Sequence, residues 1–160
     1  MNTIDRQDQN ILQILQRDGR ASASSISEQV GLSIPAVSER IKKMNDAGVI
    51  RGFKVVLDPK ILGYDVAAFI TIVSESSAHF NDVIENAKQT PEVLQCYTTT
   101  GAGSHIVYIM TKNTSSLETL LREIQSWPGV TRTITNVVLS SYNEFNMLPI
   151  NSVVSKKIVK

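Results

Sequence analysis

Apolar residues along the first third of the chain recur at helical spacing. Ile4 and then Ile11, Leu12, Ile14 and Leu15 sit in a polar background closed by Asp18-Gly19, which predicts an amphipathic helix with a glycine stop. Ser22 is placed to cap a short second helix that carries Ile26 and Val30 and ends at Gly31. After Leu32, Ser33 is placed to cap a third helix with Pro35 in its first turn, running to Ala47 before Gly48. In that helix Val37, Ile41 and Met44 keep to one face, leaving Ser33, Pro35, Ala36, Glu39, Arg40 and Lys43 to look outward.

The period then changes. VIRGFKVVLDP alternates and ends at Pro59, which predicts a strand leading out of the helical part, and KILGYD reads as a connector. From Val66, VAAFITIVS is a strand-like run, followed by Phe80, Val83, Ile84 and Ala87 at i, i+3, i+4 and i+7. Pro91 stops that helix before the strand VLQCYTTT. The order repeats with HIVYIMT, a helical stripe of Leu117, Leu120, Leu121 and Ile124 behind a Ser115 to Glu118 capping box, Pro128, and the strand VTRTITNVVLS.

Two strand-helix-strand halves predict a ferredoxin-like βαββαβ domain, with helices on one face of an antiparallel sheet. Its strands are apolar on both sides, Ala68, Ile70 and Ile72 opposite Phe69 and Val73, so the uncovered face should be buried against a second copy. An obligate dimer is expected. The expected fold class is α+β: an N-terminal winged helix-turn-helix, three helices plus a short strand, then a ferredoxin-like βαββαβ dimerisation domain. The expected boundaries are 1–52 for the helix-turn-helix domain, 53–65 for strand and linker, 66–150 for the βαββαβ domain and 151–160 for a polar, cationic-ended tail.

Composition narrows the functional classes. A chain of 160 residues with 42% hydrophobic content can build such cores, and a net charge of +1 argues against a uniformly cationic coat. The cations are nevertheless concentrated: residues 33–54 hold Arg40, Lys42, Lys43, Arg51 and Lys54 against only Glu39 and Asp46. A lone cysteine, Cys96, excludes an intramolecular disulfide and any multi-cysteine metal site. With a polar N-terminus and no run of 18 apolar residues, a soluble cytoplasmic protein without a membrane span is expected.

Two short helices joined by a glycine-containing turn, the second basic on its outer side, form the helix-turn-helix pattern. The outer face would enter the major groove of double-stranded DNA. Ser33, Pro35, Ala36, Ser38 and Glu39 would meet base edges, while Arg40, Lys42 and Lys43 would meet phosphates or guanine. The competing reading is a helix face that touches only water.

Catalytic and metal chemistry find no foothold. Gly101-Ala102-Gly103-Ser104 lacks the strand-to-helix context of a nucleotide loop and reads as a turn. His105 and His79 show no ligand spacing, and Cys96 inside an apolar strand reads as a small core residue. Trp127 beside Pro128 reads as helix-end packing, and Asn113-Thr114-Ser115 matches a glycosylation acceptor only formally. No catalytic residue, cofactor or metal is assigned, and the chain is not expected to be an enzyme.

The order helix-turn-helix, linker, βαββαβ resembles the Lrp/AsnC family, the feast/famine transcriptional regulators, over about residues 3–150. The resemblance rests on IDRQDQNILQILQRDGRAS, EQVGLSIPAVSERIKKMNDAGVI, LDPKILG, and PEVLQCYTTTG paired with WPGVTRTITNVVL. It implies a DNA-binding regulator of transcription whose dimers assemble into octamers and bind an effector, usually an amino acid, between dimers. The effector site carries over onto Thr100, Gly101, Ala102, Gly103, Ser104 and His105, with Thr133 and Thr135 as strand candidates. Many members carry acidic residues at the positions of Ala102 and Ser104 and an aromatic at His105, so this loop offers no carboxylate to an ammonium group. The alternative is an architectural protein that wraps DNA and senses nothing.

Overall fold

The structure, a computed structural model, describes residues 4–142 and 147–150. They form two compact units: the described residues up to Val56 together with 147–150, and Leu57–Tyr142. The expected tail, 151–160, lies outside the described residues, and the last part of the expected 66–150 domain, residues 147–150, groups with the helical unit.

In the first unit, helices α1 (Arg6–Arg17), α2 (Ala23–Val30) and α3 (Ile34–Asp46) enclose a core of Ile11, Ile26, Val37 and Met44. Each such fully buried aliphatic side chain contributes about 1.5–3 kcal/mol relative to exposure. Polar caps fix the helix starts: Ser22 Oγ accepts from the Ser25 N–H at 3.1 Å, and Ser33 Oγ from the Ala36 N–H at 3.4 Å. Gly31 ends α2 in the left-handed region, φ 69°, where a glycine carries no Cβ penalty.

The strand expected after Gly48 does not form: residues 51–58 have no regular structure. The alternation is present, but a strand needs a partner for its N–H and C=O groups, and no described segment pairs with this one. Phe53, Val55, Val56 and Leu57 are consequently exposed.

The second unit follows the predicted order: β1 (Val66–Ser74), a 3-10 turn at Ser77–His79, α4 (Phe80–Gln89), β2 (Val93–Thr98), β3 (His105–Thr111), α5 (Thr114–Gln125) and β4 (Val130–Val137). The strands form one antiparallel sheet in the order β2-β3-β1-β4. The cap of α5 is two residues earlier than expected: Asn113 and Ser116 form the capping box, and Glu118 instead pairs with Arg122 at 2.8 Å. Asn113 Oδ1 accepts from the Ser116 N–H at 2.9 Å, so the helix starts at Thr114 and Ser115 lies inside it.

Both helices cover one face of the sheet. Ala68, Ile70, Ile72, Val107 and Ile109 pack there with Val83, Ala87, Leu117, Leu120, Ile124 and Trp127. The alternate residues form the other face, where Phe69 lies opposite Tyr108 with ring centroids 5.0 Å apart and 44% of Phe69 remains exposed. Ile134 and Tyr97 are also exposed there, so no described element covers this apolar surface.

Candidate nucleic-acid interface and effector loop

The sequence of α3 divides its surface cleanly. Val37 and Met44 are buried and Ile41 is half-buried, while Pro35, Ser38, Glu39, Lys42 and Lys43 are exposed, as is Ser33 at the cap. Ala36 is half-buried on the flank. Ile34, not among the expected contacts, opens the helix 48% exposed. Its position beside the cap was the available signal, since a first-turn residue can flank the buried stripe without joining it. Glu39 and Lys43 pair at 2.7 Å, and the Lys43 ammonium holds the Glu39 carboxyl below the usual carboxylate range.

Arg40 departs from the expectation. Its Nη1 donates to Asp5 Oδ2 at 2.7 Å and to Asp8 Oδ1 at 2.8 Å, so the guanidinium faces the start of α1. Asp5 is also the cap of α1: the Asp8 N–H donates to Asp5 Oδ1 at 2.8 Å, and the Asp5 N–H to Asp8 Oδ2 at 3.1 Å. Burial opposes the charge of Asp5, but the Asp8 N–H and the Arg40 guanidinium more than offset it and hold the carboxyl below its ordinary pKa. The carboxylates of Asp8 and Asp5 in turn raise the pKa of Arg40. No cap is assigned to α1 from sequence; the Asp5-x-x-Asp8 spacing is the local signal that could have found this one, whereas the arginine that closes it lies 32 residues beyond Asp8 and has no local signal.

The loop between β2 and β3 is folded back on the end of β1. The Thr99 N–H donates to the Ser104 carbonyl at 2.9 Å, and the Ser104 N–H donates to the Ile72 carbonyl at 2.9 Å. Ser104 Oγ lies 2.8 Å from Ser74 Oγ and 2.9 Å from His105 Nδ1. A Cβ on Gly103 would run into Thr71 Cγ2 and stand 2.8 Å from the Ile72 carbonyl oxygen, so this close approach requires glycine. Thr100, Gly101 and Ala102 remain as an exposed tip.

His105 does not share that tip. It begins β3 on the helix-covered face, fully buried, with Phe80 edge-on at 5.0 Å, and burial holds its imidazole below the ordinary pKa. Strand alternation accounts for this: His105 shares its face with Val107 and Ile109. Thr133 and Thr135 pair with Ile72 and Ile70, so both also look toward the helices, and Thr133 Oγ1 accepts from Gln125 Nε2 at 3.1 Å. The expected effector residues therefore separate into an exposed tip, a pinned pair at Gly103 and Ser104, and three residues on the helix-covered face. Among the described residues, no three His, Cys, Asp or Glu side chains are grouped to hold a metal ion, and no helix is long and apolar enough to cross a membrane.

Known proteins share this arrangement at both ends. Residues 4–51 match the winged helix-turn-helix DNA-binding family, and residues 66–148 match the Lrp/AsnC ligand binding domain. The HTH-type transcriptional regulator FL11 of Pyrococcus horikoshii is 40% identical over 147 residues, covering 92% of this chain and 97% of that protein. Among solved structures, the transcriptional regulator NMB0573/L-Met complex from Neisseria meningitidis superposes with a TM-score of 0.87 at 28% identity, covering 93% of this chain and 98% of that one. AsnC of Escherichia coli superposes with a TM-score of 0.84 at 29% identity, covering 93% and 99%. Two domains matched in the right order, and full-length relatives that are regulators, show that the chain belongs to the Lrp/AsnC family of transcriptional regulators.

Proposed function

We propose that the outer face of α3 reads double-stranded DNA and that a small effector, an amino acid, acts through the second unit. The single observation that carries the reading is the capped α3 itself. Its apolar stripe is spent on the core, and its exposed side presents Ser33, Pro35, Ser38, Glu39, Lys42 and Lys43 in a matched helix-turn-helix domain. Ala36 borders this surface. Lys42 is the phosphate contact of choice, because Lys43 already shares its charge with Glu39 and Arg40 is held by two aspartates. No catalytic residue is assigned, and the work is done in the cytoplasm where the DNA is.

Assembly follows from the uncovered sheet face, whose apolar side chains suit a second copy of the chain. The exposed Phe53 to Leu57 segment, which joins no strand among the described residues, suits the same partner. Dimers then build an octamer. Two α3 helices of one dimer would meet half-sites roughly 34–36 Å apart.

For the effector, the Neisseria relative with bound L-methionine supports an amino acid. The exposed tip Thr100-Gly101-Ala102, with Gly103 and Ser104 behind it, can offer backbone N–H groups to a carboxylate, but it has no acidic side chain for an ammonium group. That observation favours one second reading, an architectural DNA-wrapping protein without effector. A thermal-shift series with the twenty amino acids, read beside gel shifts on duplex DNA, decides between them. An amino acid that raises the midpoint and changes DNA binding supports the regulator with an effector, whereas DNA binding indifferent to all twenty supports the architectural reading.

A further inference from the structure

Ile34 is the large apolar side chain that α3 leaves in solvent, 48% exposed at the first position of the helix. Its aliphatic neighbours Val30, Leu32 and Ile41 instead pack against the core of Ile11, Ile26, Val37 and Met44. Helix propensity gives no reason for an isoleucine either, because a β-branched side chain loses χ1 freedom in a helix. The backbone around it is fixed: Ser33 Oγ accepts from the Ala36 N–H at 3.4 Å, and the Val37 N–H donates to the Ser33 carbonyl at 3.0 Å. Ile34 is therefore held at the N-terminal end of α3 with its side chain outside the core.

Spacing aligns it with two residues of the DNA-reading face. Ile34, Ser38 and Lys42 stand at i, i+4 and i+8, along one ridge of the helix about 12 Å long. All three are exposed. The ridge runs from an aliphatic side chain through a hydroxyl to a cation, and the N-terminal end of a recognition helix is the end that meets base edges. An isoleucine side chain has no donor or acceptor to offer there, and covering the polar edge of a base without a hydrogen bond costs free energy. The apolar group that a base pair presents in the major groove is the C5-methyl of thymine. We propose that Ile34 is a specificity-determining residue that packs against the C5-methyl group of a thymine. The proposal rests on the reading of α3 given above and adds to it the base that the first position of the helix selects.

The test uses the full chain and a duplex that it selects from a random library, with each thymine replaced in turn by deoxyuridine. That replacement removes the methyl group and leaves the hydrogen-bonding groups of the base in place. For the unmodified protein at least one replacement should weaken binding about fourfold, the effect of one buried carbon. Ile34→Ala should bind the thymine and deoxyuridine forms of that duplex alike, and Ile34→Val should fall between. Lys42→Ala should weaken binding to both forms and keep the ratio between them. Partial unfolding of a variant lowers both affinities and leaves the ratio, so the ratio reads the contact itself. A duplex in which no thymine methyl matters, or a ratio in Ile34→Ala equal to that of the unmodified protein, overturns the proposal. If Lys42→Ala still loses affinity in that case, α3 remains the reading helix and only the thymine contact fails. If Lys42→Ala and Ile34→Ala both bind as the unmodified protein does, the reading of α3 fails with it.

Discussion

At the residue scale, Arg40 shows how a side chain's partner changes its meaning. Read from helical spacing alone it is a groove-facing cation, but in the fold it neutralises Asp5 and the largely buried Asp8 at the start of α1. Arg40→Ala should therefore destabilise the helical unit by about 1–2 kcal/mol, between the limits for exposed and buried pairs, as read by a urea midpoint. It should leave the salt dependence of DNA binding unchanged. Lys42→Ala should do the reverse, with the slope of log affinity against log salt shrinking by about 0.9 and stability holding. A slope altered by Arg40→Ala and indifferent to Lys42→Ala would return Arg40 to the interface. His105 carries a different signature. Because burial depresses its pKa, the folded chain binds fewer protons than the unfolded chain once pH falls below about 6.5. Its contribution is complete above that pH and is lost as pH drops toward the lowered folded value. Thermal midpoints should fall from about pH 7.5 to about 5.5, and the fall should shrink in His105→Phe; an equal fall in the variant would assign it to other groups.

At the scale of the element, what was legible followed from locality. Caps at Ser22 and Ser33, the stops near Gly31, Pro91 and Pro128, and the apolar stripes of α3, α4 and α5 each depend on residues within one or two turns, so spacing alone located them. The strand expected after Gly48 depended on a partner, which periodicity cannot supply, and the cap of α5 depended on which of several polar residues reached the backbone first. For the effector loop, sequence located the turn but not its facing: the tip is exposed, whereas strand alternation turns His105, Thr133 and Thr135 toward the helices. Gly103 is where that loop is most tightly determined. Gly103→Ala must push back Thr71 or the Ile72 carbonyl and lengthen the Ser104 bond to Ile72. It should cost about 1–3 kcal/mol in thermal or denaturant unfolding. A variant as stable as the parent would mean that the loop can lift from β1 freely, and the pinned geometry would lose its role in shaping the tip.

At the scale of the whole molecule, the sheet poses a problem that one chain leaves open. Its inner face is closed by α4 and α5, but its outer face keeps Phe69, Tyr97 and Ile134 in contact with solvent, and the Phe69–Tyr108 pair extends that surface across the central strands. Such a face, four strands wide and apolar at its centre, has the makings of a stable interface, which needs about 800 Å² from each partner. Phe69 lies in β1, a central strand, so a charge there would sit in the middle of the contact and be desolvated without a partner. Phe69→Lys should convert the proposed dimer to single chains in light scattering at micromolar concentration while leaving the circular dichroism of the fold intact, because the side chain points away from the core of Ile70 and Ile72. Thr119→Lys, exposed on α5 over the opposite face, should leave the mass unchanged. DNA affinity should fall with the mass in Phe69→Lys, since one α3 can engage only one half-site at a time. An assembly that survives Phe69→Lys and dissociates with Thr119→Lys would move the interface to the helix side of the sheet, and the exposed aromatic face would then need a different occupant.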